Sequence, residues 1–155
     1  MSKAPVILVD ADACPVKDEC YRVGERLGVP VVIVANSFIR TPDEPHIHTV
    51  RVGDGFDAAD DWIADNAHAR CVVVTADILL AERCIENGAQ VLSNKGSAFT
   101  ADSIGAQVAT RSIMADLRAG AVGENIGGPA PFTKTDRSRF LQALDGAVRR
   151  AIRSA

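Results

Sequence analysis

The stretch VILVDADACPV, residues 6–16, sets four apolar residues of strand type directly before two carboxylates, Asp10 and Asp12. Side chains at i and i+2 of a strand share a face, so two like charges there repel each other and add nothing to a structural strand. A site for a cation or a phosphoryl group gains from them. The run therefore reads as the first strand of an α/β sheet whose carboxyl end carries chemistry.

Working outward, strand-like runs recur at Pro30–Ala35, Ile47–Val52, Cys71–Thr75 and Gln90–Leu92, after the first at Val6–Val9. Helical patterns lie between most of them. One covers Pro15–Leu27, with Pro15 at a favoured first-turn position. Others cover Asp57–Ala67 and Ile78–Glu86, the latter capped by Asp77 and stopped by Asn87-Gly88. A fourth helix, about Ala101–Ala119, follows Thr100 as N-cap, and a last one covers about Asp136–Arg153. Val- and Ile-rich strands alternating with helices predict βαβ units, a mainly parallel sheet and a three-layer α/β/α sandwich. The Gly/Pro-rich loop at about 120–135 joins the last helix to the same domain, so residues 1–155 read as one domain.

Functional groups of an open parallel sheet gather beyond the carboxyl ends of its strands. Asp10 and Asp12 leave the first strand there, and Asp77 leaves CVVVT at the same edge. The segment GDGFDAADDW puts Asp57, Asp60 and Asp61 on the first turns of a helix, Asp57 sharing a face with the other two. Taken singly, each acid has a plain explanation, because Asp caps helix N-termini and complements the helix dipole. Three segments converging on one rim change the balance: crowded like charges are costly unless a cation compensates them, and oxygen ligands without His or Cys suit Mg²⁺ or Mn²⁺.

Other candidates are less specific. Asn36, Asn94 and Lys95 lie just past strand ends on the same rim, where they suit phosphate contacts. His46 and His48 alternate on one strand face next to Pro45, which a surface strand explains equally well. His68 falls at a helix end that favours a cation. Cys20 and Arg26 have the C-x5-R spacing of a thiol phosphatase but fall within a helix, with no phosphate-cradling loop before them. Cys14 near a helix N-terminus invites a lowered pKa, although a small buried residue is the favoured reading.

The 155 residues, 47% hydrophobic and 24% charged, have the balance of a globular domain large enough for a real core. No signal-like or membrane-spanning apolar stretch is readable. The four cysteines form no CxxC pair and suit free thiols in a reducing cytoplasm. The net charge of −3 is unevenly spread. From Thr133 onward there are six basic residues, Lys134 and Arg137 among them, against two acidic ones, while the preceding part holds 11 basic and 18 acidic. An acidic body with a basic tail does not suit a general nucleic-acid coat, but it suits an acidic metal site with a basic rim for phosphates.

The motifs VDADACPV, VANSFIR, GFDAADDWI, VVTADILLA and GPAPFTKTDRSRF run through nearly the whole chain. Together they resemble the YaiI/YqxD-type family of bacterial proteins, which is grouped with PIN-like nuclease domains. That resemblance implies a parallel α/β/α sandwich and an acidic site for divalent metal. Asp10 and Asp12 match its first acidic position, Asp57 and Asp60 the helical one, and Asp77 the Asp of a Thr-x-Asp turn. Asp61 has no counterpart. Many PIN-like nucleases carry a longer Glu where the helical Asp stands here.

The leading expectation is a metal-dependent phosphodiesterase acting on RNA or DNA. Asp10, Asp57 and Asp77 would hold Mg²⁺ or Mn²⁺, with Asp12 and Asp60 as outer ligands or orienters of bound water. Asn36, Lys95, Lys134 and Arg137 would meet phosphates of a single-stranded partner. The rival enzyme is a haloacid-dehalogenase-like phosphatase, in which Asp10 is nucleophile, Asp12 acid, Thr75 the second motif and Lys95 the third. A third class is a non-catalytic domain that binds metal or nucleic acid.

Overall fold

The computed structural model describes residues 3–12, 14–53, 55, 57–106 and 132–154. Strand β1 (Val6–Asp10) lies at the centre of a six-stranded sheet. It pairs in parallel with β2 (Val31–Ala35), Asp10 standing opposite Val34, and on its other side with β4 (Cys71–Val74), Val9 standing opposite Val74. Strand β3 (Ile47–Arg51) extends the sheet beyond β2, and β5 (Gln90–Leu92) extends it beyond β4. The order is β3-β2-β1-β4-β5-β6. The chain thus builds outward in one direction from β1, then returns to build the other way. A crevice at the carboxyl ends of β1 and β4 follows from that reversal.

The strands are apolar on both faces, and their alternation sorts the core into two layers. Ile7, Val9, Ile33, Val72, Val74 and Leu92 face helix α1 (Lys17–Leu27) and helix α4 (Lys134–Arg153). Leu8, Val34, Val73 and Val91 face helix α2 (Ala58–Asn66) and helix α3 (Ile78–Glu86). The expected three-layer α/β/α sandwich with a mainly parallel sheet is therefore present. Among the described residues no helix is long and apolar enough to cross a membrane.

Several boundaries differ from the sequence reading for physical reasons. Helix α1 begins at Lys17 rather than Pro15, because Cys20 N–H to Val16 O is its first helical bond and Pro15 lies in the preceding turn. Helix α4 begins two residues before the expected start. Thr133 caps it, its hydroxyl accepting from Asp136 N–H while the Asp136 carboxylate accepts from Thr133 N–H. Thr100 does cap the next helical segment, accepting from Ser103 N–H at 3.1 Å. That segment is described only over 101–106, so the rest of the expected helix to Ala119 and most of the 120–135 loop lie outside the described residues.

A short strand, β6 (Ala98–Phe99), was not expected; it runs antiparallel to β5. The turn SNKGS joins the two strands, with Ser93 N–H donating to Ser97 O and the Ser93 hydroxyl accepting from Ser97 N–H. Gly96 in this turn has φ +86°, and a Cβ there would sit 2.8 Å from Arg139 O. Only glycine permits both the left-handed backbone and this close approach of the turn to α4.

Helix α4 runs antiparallel to the strands, which decides where the basic tail lies. At its start, Arg137 Nη1 donates to Pro15 O at 2.8 Å and to Glu19 Oε1 at 3.1 Å, and its guanidinium lies over the Phe132 ring. At its end, the Arg70 guanidinium donates to the carbonyls of Ala151 and Ile152, completing the helix C-terminus near the amino end of β4. Arg149 and Arg26 both pair with Asp145, and Arg150 donates to Gln90 Oε1. Arg149 and Arg150 are thus engaged on the helix flank, away from the acidic rim. Phe140 and Leu144, fully buried beneath the helix, contribute roughly 1.5–3 kcal/mol each through burial.

Glu19 is one of only two polar side chains buried among the described residues. Replacing Arg137 with Ala would strand its charge, so Arg137→Ala is expected to cost about 1–3 kcal/mol in urea denaturation. Adding Glu19→Gln should restore part of the loss. Lys134→Ala, at an exposed position, should change stability by no more than about 0.5 kcal/mol.

Candidate functional site

Asp10 is the last residue of β1, and Thr75 follows β4 directly beside it. The Thr75 hydroxyl is fully buried and donates to Asp10 Oδ2 at 2.8 Å, while its oxygen accepts from Asp77 N–H at 3.0 Å. One hydroxyl thus links the carboxyl ends of the two strands at the point where the chain reverses direction. Burial pushes the Asp10 carboxyl up, the Thr75 bond opposes that rise, and the charges of Asp77 and Asp12 add to it. Asp77 is the N-cap of α3, with Oδ1 accepting from Leu79 N–H and Leu80 N–H. Its expected capping role is therefore real, and it does not exclude a second role.

Asp12 stands two residues on, in a different environment. Its Oδ2 accepts from Asn36 N–H at 2.9 Å and its Oδ1 from the Ser37 hydroxyl at 2.7 Å. Burial works to raise its pKa, but these bonds, a second from the Ser37 backbone and the Lys17 ammonium outweigh it, so the group lies below the usual carboxylate range. Asp12 is held charged, with both oxygens fastened to the loop that follows β2.

The acidic helix divides. Asp57 occupies the N-cap position of α2 but makes no side-chain cap bond. Asp60 is half-buried, and burial, with the charges of Asp77, Asp10 and Asp57, pushes its pKa up to about 6 against the opposing Arg83. Asp61 turns away and pairs with Arg83 at 2.9 Å. Acids from β1, α2 and α3 thus act on one another across the crevice. As placed, among the described residues no three His, Cys, Asp or Glu side chains form a group able to hold a metal ion.

The remaining candidates fall in several places. Asn36 gives its backbone N–H to Asp12, and its side-chain oxygen is buried without a hydrogen-bond partner among the described residues. Lys95 approaches Asp136 at 4.0 Å, and Lys134 is exposed on the first turn of α4. Arg137, expected to grip phosphate, is committed to Glu19 and Pro15. Asn94 Oδ1 lies 3.9 Å from Cys14 Sγ. Burial raises the Cys14 thiol pKa rather than lowering it, and Cys20 is fully buried within α1, apart from any phosphate loop. His46 Nε2 meets the Tyr21 carbonyl, and His48 is exposed on the edge strand. His68 lies just past the end of α2, where its surroundings disfavour the charged form. Burial, Lys3 and Arg70 lower its pKa, and its Nδ1 accepts from Arg70 N–H.

Two members of the site were underweighted by sequence reasoning. Thr75 is the Thr of the Thr-x-Asp turn and the second motif of the phosphatase reading, but neither pattern signals that its hydroxyl bonds to Asp10. Ser37, which fixes Asp12, carried no local signal beyond following a strand.

A carboxyl whose folded pKa is raised binds more protons than in the unfolded chain, so stability falls as pH rises between the ordinary value and about 6. Asp60→Asn should therefore raise the melting temperature at pH 7.5, with the gain shrinking toward zero near pH 4.

Residues 8–150 match the family described as uncharacterized BCR, YaiI/YqxD. The chain is 63% identical to a UPF0178 protein of Sphingopyxis alaskensis over 150 residues, which cover 97% of each chain. It is 59% identical to a UPF0178 protein of Jannaschia sp. over 94% of its length and 93% of that relative. A UPF0178 protein of Rhodopseudomonas palustris is 55% identical over 95% of this chain and 88% of its own. No solved structure matches the chain. With the match running from within β1 to within α4, and so taking in Asp10, Asp12, Asp57, Asp60 and Asp77, the chain belongs to the YaiI/YqxD family.

Proposed function

We propose that the protein is a divalent-metal-dependent phosphodiesterase acting on RNA or DNA, of the PIN-like kind that its motifs resemble. The observation that supports this reading is the mutual electrostatic strain of acids from three chain segments at the reversal point of the sheet. The donor chemistry fits a hard cation, being carboxylate oxygen without thiolate or imidazole. Asp10, Asp57 and Asp77 are the residues that would hold Mg²⁺ or Mn²⁺, with Asp12 and Asp60 around them. Because these side chains do not form a ready cage as placed, binding would have to draw them together. When bound, the ion would supply Lewis acidity and an activated water at the phosphorus.

The chain's own groups have distinct parts in this reading. Thr75 fixes the Asp10 carboxylate and so sets its direction into the crevice. Asp12 keeps its charge and anchors the loop after β2. Lys95 and Lys134 offer cations to backbone phosphates at the same edge, whereas Arg137 serves chiefly to hold α4.

The phosphatase reading asks Asp12 to carry and return a proton as general acid. Its lowered pKa and its two fastened oxygens speak against that duty.

Mg²⁺ or Mn²⁺ should raise the melting temperature of the wild type, and Asp10→Asn should remove that shift while leaving the metal-free protein at least as stable. Asp77→Asn retains a capping side chain, so it should fold normally, bind RNA as well as or better than wild type, and lose Mn²⁺-dependent cleavage. Robust turnover of small phosphomonoesters that vanishes in Asp10→Asn, with a phosphoryl group trapped on Asp10, would transfer the assignment to the phosphatase class.

A further inference from the structure

Among the described residues, the most exposed large apolar side chain is Phe38, 78% accessible. It lies in the loop between β2 and β3, where the chain makes a parallel crossover without a helix. A free aromatic on a slack loop would mean little, but this loop is fastened on both sides of the ring. Before it, Asn36 N–H and the Ser37 hydroxyl bond to Asp12. After it, Ile39 packs against the core, and the Thr41 hydroxyl meets that of Thr49 on β3 at 3.0 Å. Phe38 is thus the residue immediately following one that touches the acidic site. Leu79, 56% accessible, stands on the first turn of α3 two residues after Asp77. Arg40 is exposed two residues beyond Phe38, and the Lys17 ammonium, bonded to Cys14 O, lies close enough to lower the Asp12 pKa.

We propose that the loop 36–41 is a base-stacking subsite, in which Phe38 holds an unpaired base of a nucleic-acid strand while Arg40 and Lys17 meet its phosphates. The site rests on the phosphodiesterase reading only in supposing a nucleic-acid ligand. A loop fastened on both sides of the ring lowers the backbone share of the ordering cost of stacking, and the aromatic face accepts every base because each has a π face. A base inside a duplex cannot reach the ring, so the contact selects unpaired strands. Fastening of the loop to Asp12 fixes the base relative to the acids, which sets the phosphate presented to Asp10.

Binding of labelled oligouridylate, its deoxy counterpart and a blunt duplex is measured by fluorescence anisotropy at low salt. Wild type, Phe38→Ala, Phe38→Tyr and Arg40→Ala are compared. Because Phe38 is exposed, Phe38→Ala should keep the wild-type melting temperature, which checks folding. The expected result is about tenfold weaker binding of either single strand by Phe38→Ala, retention by Phe38→Tyr, and a flatter salt dependence for Arg40→Ala. Duplex binding should be unaffected by Phe38→Ala. Equal single-strand affinity of Phe38→Ala and wild type would overturn the subsite while leaving any Mn²⁺-dependent cleavage, and so the phosphodiesterase reading, in place. Conversely, Phe38-dependent binding without cleavage by the wild type would support the subsite and remove the enzyme reading. Failure of the wild type to bind single strands overturns the proposal, as does a Phe38-dependent self-association in size-exclusion chromatography.

Discussion

β1 is paired in parallel on both of its edges, and this double pairing decides what stands beside Asp10. Its register with β2 sets Asp10 opposite Val34, which brings the loop after β2 to Asp12. Its register with β4 sets Val9 opposite Val74, which brings Thr75 and the N-terminus of α3 to Asp10. A slip of one residue on either edge would turn every side chain of that strand to the other layer. Because β1, β2 and β4 are apolar toward both layers, burial alone would tolerate such a slip, and it is the close fit of particular side chains within the two clusters that opposes it. Position at the rim is thus a by-product of packing far from it.

The two carboxylates that end β1 have opposite fates because their surroundings differ. Asp10 is sunk beside Thr75 with other acids around it, so its charge is costly. Asp12 receives donors from a neighbouring loop and a nearby ammonium, so its charge is stabilised. One is a group under electrostatic strain and the other a fastening. Sequence spacing could not separate them, because the donors to Asp12 come from residues some two dozen positions away.

What could be read from the chain was whatever depends on local pattern. Continuous Val- and Ile-rich runs marked five of the six strands to within a residue at each end, and Asp77 announced the start of α3. The antiparallel β6 escaped because two residues are too few to show a period, although the turn SNKGS before it carried a hairpin signal. The convergence of acids was legible because strand ends in a parallel sheet share an edge. The commitment of Arg137 to Glu19 was not, since nothing local to either residue indicates a partner 118 positions away. Nor could a charge count distinguish arginines that brace a helix from basic side chains left exposed, such as Lys134.

The brace at the far end of α4 has a consequence for the order of assembly. Arg70 grasps carbonyls more than 80 positions later, and α4 supplies Phe140, Leu144, Ala147 and Val148 to one layer of the core. During vectorial synthesis the whole sheet can emerge while Val72, Val74 and Leu92 still lack that cover. Local contacts in the first two-thirds of the chain can form early, but the layer closes only when the last described helix arrives. Until then α1 covers only its own part of that layer, and the aliphatic side chains that α4 will cover stand open to water and to other chains.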